Sequence, residues 1–260
     1  MRVISVDVGW KRGTKRNAVA IATPPRQIEF LASGLRDDDL IELVRKWAGH
    51  ESLVLLDVPI EGCENLREPR RPLEKVLQHY MSLYPSSRAG LRGVELKQSF
   101  LHTLPESIIV QEIYPHAVYK FLWVAKQKDK LGIVQSRRWE EILDESFTPR
   151  NTPPKYKDKV GHAQRLEGMR ELYYLLARDL GLHFAYKLGF PEGHLGRSRL
   201  DLLADEYDAC LGAVVGLHSA TNNPYAWVAG DRLQGELLLL ADRWLKEQLE
   251  MRGIGTRRLR

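Results

Sequence analysis

The chain has 260 residues, 43% hydrophobic and 28% charged, enough apolar content to bury a core without disulfides or a structural metal. Its two cysteines, Cys63 and Cys210, have neither zinc-knuckle nor secreted-disulfide spacing, and no stretch approaches the roughly 20 apolar residues of a membrane span; the expected compartment is a reducing cytoplasm. With 39 Lys and Arg against 34 Asp and Glu, the net charge of +5 permits a polyanionic partner without demanding one.

Val3 to Val8 is short, apolar and β-branched, and it breaks at Gly9, so it reads as a buried strand with Asp7 near its C-terminal end. Ala18 to Ala22 and Ile28 to Leu31 continue it as an antiparallel meander. Asp37 to Trp47 spaces Leu40, Leu43, Val44 and Trp47 as a helix with an acidic start, as the helix dipole favours. Leu53 to Leu56 is a second buried strand, followed at once by Asp57. From residue 61 to 106 the prolines and glycines loosen the pattern into an insertion, with a helical piece near Leu73 to Tyr84. Ile108 to Val110 is a third strand followed by Glu112, and Pro115 limits it. Residues 126–160 are charged and carry Pro149, Pro153 and Pro154, which predicts an exposed, partly helical second insertion. Gln164 to Leu180 and Leu195 to His218 read as helices, and residues 221–260 form a C-terminal appendage whose ELLLLAD segment suits strand or helix. A single domain spans residues 1–260, an α/β core with these additions.

Three strands thus bring an acid to their C-terminal edge, where ligands gather in open α/β sheets. Side by side, Asp7, Asp57 and Glu112 would repel unless a cation neutralised them, and an all-oxygen set suits Mg²⁺ or Mn²⁺ rather than zinc. A single strand-end Asp more often caps a turn, so the weight lies in the coincidence of three. In the last long helix, Asp201, Asp205, Asp208 and Gly212 share one face. From Ala209 to Leu217 this helix is apolar all round, which puts Asp208 at the edge of its buried half. Ala209, Gly212 and Ala213 would let it approach a sheet closely.

The order of these motifs resembles the RNase H-like superfamily, and DEYDACLGAVVGLH is similar to the final helix of RuvC-type resolvases. Closer still is the domain of unknown function 429 family, described as RNase H-fold nucleases. VDVG, LDVPI with REPRR, QEIYPHAV, KVGHAQRLEGM and YDACLGAVV match its motifs in order over most of residues 1–220. The resemblance implies a five-stranded mixed sheet, three strands antiparallel and then two parallel, flanked by helices. It also implies two-metal phosphodiester hydrolysis of DNA or RNA with Mg²⁺ or Mn²⁺. Asp7 would bridge both ions, Asp57 and Asp208 would be outer ligands, and Glu112 or Asp205 would complete the shell. Fold analogy alone does not establish activity.

Basic residues after the acidic strands supply candidate phosphate contacts: Lys11, Arg12, Lys15 and Arg16 after Asp7, and Arg67, Arg70 and Arg71 after Asp57, with Arg88 and Arg92 beyond. His116 is a candidate proton shuttle, against the commoner structural role of a histidine after proline. Tyr114, Tyr119, Trp123, Tyr173 and Tyr174 fit core packing better than base stacking. A nucleic-acid partner is expected, and no membrane. Two further readings compete with a nuclease. An actin-like kinase would need a second lobe and a glycine-rich phosphate loop, and the chain shows neither. The other is a non-catalytic nucleic-acid or protein-binding module whose acids pair with nearby arginines.

Overall fold

The computed structural model describes residues 1–9, 11, 13–62, 70–81, 91–147, 152–157, 160–233 and 235–259. Its centre is a mixed sheet in the order β5-β4-β1-β2-β3-β6. The strands are β1 (Arg2–Asp7), β2 (Asn17–Thr23), β3 (Gln27–Leu35), β4 (Ser52–Leu56), β5 (Ile109–Glu112) and β6 (His183–Phe184). β1, β2 and β3 form the antiparallel meander, and β4 and β5 add parallel to β1. The five expected strands are joined by a sixth, β6, which lies parallel to β3 and is only two residues long.

Two apolar cores lie on opposite faces, and side-chain alternation along each strand sorts residues between them. Val3, Leu53, Leu55 and Ile113 belong to one. Ile4, Val6, Val54, Leu56 and Ile108 belong to the other, where helix α1 (Asp37–Trp47) adds Leu40 and Val44. The first core is covered by α4 (Pro115–Gln127), α6 (His162–Tyr174) and α7 (Arg197–Ala220). α6 continues into a π-helical turn, Leu175–Asp179, so the expected helix from Gln164 to Leu180 changes its winding part-way.

The long helix α7 lies against β1 because it has no side chains where they would intrude. A Cβ at Gly212 would stand 2.1 Å from Ser5 Oγ, and one at Gly216 would stand 2.4 Å from Val3 Cγ1. The expected close approach is therefore real, with Gly212 and Gly216 as its contact points. It sets Asp208, one turn before Gly212, beside Asp7, two residues after Ser5.

The insertions are more ordered than their composition suggests. The first contains α2 (Pro72–Leu77) and α3 (Arg92–Thr103); the expected helical piece reaches only Leu77, and residues 82–84 lie outside the described ones. The second holds α5 (Leu131–Gln135) and was expected to be exposed, yet Ile142, Leu143, Phe147 and Tyr156 are buried in the main core. The appendage forms an antiparallel sheet, β8-β7-β9, with β7 at Ala226–Asp231, β8 at Gly235–Leu240 and β9 at Thr256–Arg257. ELLLLAD is thus strand in β8, and α8 (Arg243–Met251) follows it. No helix among the described residues is long and apolar enough to cross a membrane.

Candidate metal centre

β1 and β4 run parallel with Val6 level with Leu56, and Asp57 N–H donates to Val6 C=O at 2.9 Å. The register brings Asp57 next to Asp7 on the face that also carries Ser5 and Leu55. α7 closes that face with Asp208. Carboxylate oxygens of Asp7, Asp57 and Asp208 all lie within 4.8 Å of one another.

The loops bearing these acids are braced from the first insertion. Arg92 donates to Gly9 C=O, to Asn17 Oδ1 and, with two nitrogens, to Asp37. The next residue, Gly93, packs so tightly that a Cβ there would stand 2.0 Å from Pro59 O. α3 therefore clamps both the turn after Asp7 and the one after Asp57, and Arg92, expected as a phosphate contact, is instead buried in this role.

Glu112 is not part of the cluster. It is level with Leu56, one residue short of the register that would carry it to the face of Asp7 and Asp57, and alternation turns it the other way. Arg71 meets it with both terminal nitrogens, and Ile60 N–H donates to it at 3.1 Å. Arg71 also holds Glu74 at 2.8 Å and Glu61 C=O at 2.8 Å. The expectation of Arg71 as a phosphate contact is corrected: the side chain is buried and steadies the loop after Asp57 together with Glu112.

Asp205 is buried beside Asp208, and Arg16 grips it with Nε at 3.1 Å and Nη2 at 3.3 Å while reaching Asp201 at 3.2 Å. Arg16 thus turns toward the acidic helix rather than standing free for phosphate. Lys11 and Lys15 are exposed, and Arg70 is half-buried. Arg12, Arg67 and Arg88 lie outside the described residues.

Sequence reasoning missed one segment, residues 152–157. Tyr156 Oη donates to Asp208 Oδ1. Lys157 Nζ is in close contact with Asp208 and lies 3.6 Å from both Asp7 and Asp205. α6 pins this strap: Arg165 donates to Tyr156 C=O at 3.2 Å, and a Cβ at Gly168 would stand 2.2 Å from Lys155 O. In the sequence, Lys155 to Lys159 (KYKDK) shows only a basic cluster.

Electrostatics follow from crowding these acids in a dry place. Burial first, then Asp205, Asp208 and Asp57, raise the Asp7 carboxyl well above its ordinary range against the pull of Lys157. Asp57 is pushed up to about 7 by burial and by Asp208, with Lys157 and a hydrogen bond from Asp7 opposing. Burial also raises Asp205, although Lys157 and Arg16 draw it down. Lys157 shows the converse: burial disfavours its charge, but Asp208, Asp7, Asp205 and Asp57 outweigh that and hold it well above the lysine value. His116 is lowered to about 4 by burial despite the nearby Asp208, so it is neutral at neutral pH and has no proton ready to give. Tyr119 is buried, and Tyr114, Trp123 and Tyr173 pack against the core as expected, whereas Tyr174 is exposed and the packing expectation is corrected there.

A set of three carboxylates, hard oxygen donors with their charges crowded, fits a divalent cation of the Mg²⁺ or Mn²⁺ kind. No protein-family model matches the chain, and no curated protein or solved structure is similar enough to count as a relative.

Proposed function

We propose that the protein is a metal-dependent nuclease of the RNase H-like kind, hydrolysing phosphodiester bonds of DNA or RNA at Asp7, Asp57 and Asp208. The observation that carries this reading is the convergence of the three carboxylates from β1, the end of β4 and α7. The strand order, with an antiparallel meander and two parallel strands beyond β1, agrees with it.

Asp7, Asp57 and Asp208 would hold the ion. A divalent cation there supplies Lewis acidity toward a phosphoryl oxygen and makes bound water more acidic. The chain's own groups do the positioning: α3 fixes the turns after Asp7 and Asp57, Tyr156 orients Asp208, and Arg16 holds Asp205. Exposed Lys11 and Lys15, on the turn that leaves Asp7, favour a polyanion as substrate.

Incubating the full chain with Mn²⁺ and single- and double-stranded DNA and RNA tests this. Cleavage is expected, and Asp7→Asn should reduce it by about two orders of magnitude or more while circular dichroism is unchanged. Undiminished cleavage by that variant would remove the assignment. A second reading, a binding module without chemistry, draws on the pairing of Lys157 and Arg16 with the acids. Calorimetry separates the two, since the module takes up no Mn²⁺.

A further inference from the structure

Two sides of the acidic cluster differ in what they already hold. On the side of Asp205, Lys157 Nζ lies among Asp7, Asp205 and Asp208, and Arg16 clasps Asp205 with two nitrogens. On the other side is Asp57, with a carboxylate oxygen within 4.8 Å of those of Asp7 and Asp208 and no ion pair among the described residues, while Asp208 Oδ1 accepts from Tyr156 Oη. A second divalent ion bridging Asp7 and Asp205 would have to displace Lys157 from between them. We propose that Lys157 is a built-in part of the centre, standing in place of a second divalent ion, so that the site takes one metal ion between Asp57 and the shared carboxylates of Asp7 and Asp208. The inference rests on the metal-binding reading above and goes beyond it in number and arrangement.

Charge matching supports the count. Asp7, Asp57, Asp205 and Asp208 carry four formal negative charges when ionised, and Lys157 and Arg16 return two. With Lys157 and Arg16 in place, one divalent cation completes the balance, and a second would leave an excess of two positive charges in a buried site, which low dielectric penalises. Asp201 does not alter this, because buried Arg165 pairs with it at 2.7 Å. The position of Lys157 is not accidental to a floppy loop: Arg165 and Gly168 of α6 anchor the strap, and Tyr156 ties it to Asp208. Its backbone is therefore held, while 43% of the side chain remains exposed, so the ammonium has a route by which an entering ion passes it.

The test counts bound Mn²⁺ per full-length chain by electron paramagnetic resonance of the free ion, alongside calorimetry. Wild type should bind one ion. Lys157→Met should bind a second, and Lys157→Arg should return to one. Two ions in wild type, or one in Lys157→Met that is folded by circular dichroism, would overturn the inference while leaving the metal site standing. Absence of bound Mn²⁺ from wild type and both variants would instead overturn the metal reading itself, and the inference with it. The wild-type count needs no substitution, so an unfolded variant does not shield the proposal.

Discussion

Two groups of carboxylates sit at the same edge of the main sheet, and they are provisioned differently. Glu112 and Glu74 share the guanidinium of Arg71, and backbone N–H groups of Ile60 and Arg71 complete their hydrogen bonds. Asp242 is satisfied in the same spirit, accepting from the backbone of Ile142, Leu143 and Leu245. Asp7, Asp57 and Asp208 instead face one another, with Lys157 and Tyr156 as their nearest donors. Buried acids with a full complement of donors hold structure together, whereas acids packed against like charge have a use for a cation.

The contrast breaks most visibly at Arg71. Arg71→Met strips the partner from two buried glutamates and should cost about 3–5 kcal/mol of stability, measured by urea unfolding, with folded protein still binding Mn²⁺. A smaller cost would mean that Glu112 and Glu74 are held chiefly by the backbone. Next in size is the contact that delivers Asp208. Gly212→Ala pushes a methyl group against Ser5 and Ile113 and should destabilise by roughly 1–3 kcal/mol, and it should weaken Mn²⁺ affinity by moving α7 outward. Unchanged affinity would show that Asp208 tolerates displacement.

The pH dependence is the most diagnostic of the metal-free cluster. Folded Asp57 titrates at about 7, above the value of about 3.9 expected unfolded, so the folded state binds the proton more tightly. Stability without metal is therefore fullest below the unfolded value and falls as pH rises toward 7, with Asp7 acting in the same direction. Melting temperature should drop steadily over that window, and added Mn²⁺ should restore it increasingly as the carboxylates ionise. Asp7→Asn should flatten the decline and abolish the Mn²⁺ response. A melting temperature that rises over the window would contradict the raised proton affinity.

Much of this site was legible from local pattern. VISVDVG and LVLLDVP are apolar runs that stop at an acid, and the face shared by Asp205, Asp208 and Gly212 follows from helical spacing alone. Glu112 misled because IIVQEIYP shows the acid but not its parity relative to β4, which pairing decides: Ile113, not Glu112, faces the long helix. Arg71 looked like a surface cation because nothing in REPRR tells that Glu74 and Glu112 will enclose it. Tyr156 and Lys157 were invisible as site residues because their segment has no periodicity, and it is placed by Arg165 and Gly168 on a helix that comes later in the chain. The five central strands, α1 and the last long helix declared themselves, whereas the elements of the insertions and the appendage, and the partners of the charged residues, depended on tertiary pairing.

The central claim is that Asp7, Asp57 and Asp208 share a cation. Crystals soaked in Mn²⁺ and measured at a wavelength where manganese scatters anomalously test it most directly. The account predicts one strong peak within about 2–2.5 Å of oxygens from all three residues, with the Lys157 ammonium on the Asp205 side. A map with Mn²⁺ bound elsewhere on the protein and no peak at these carboxylates would contradict it.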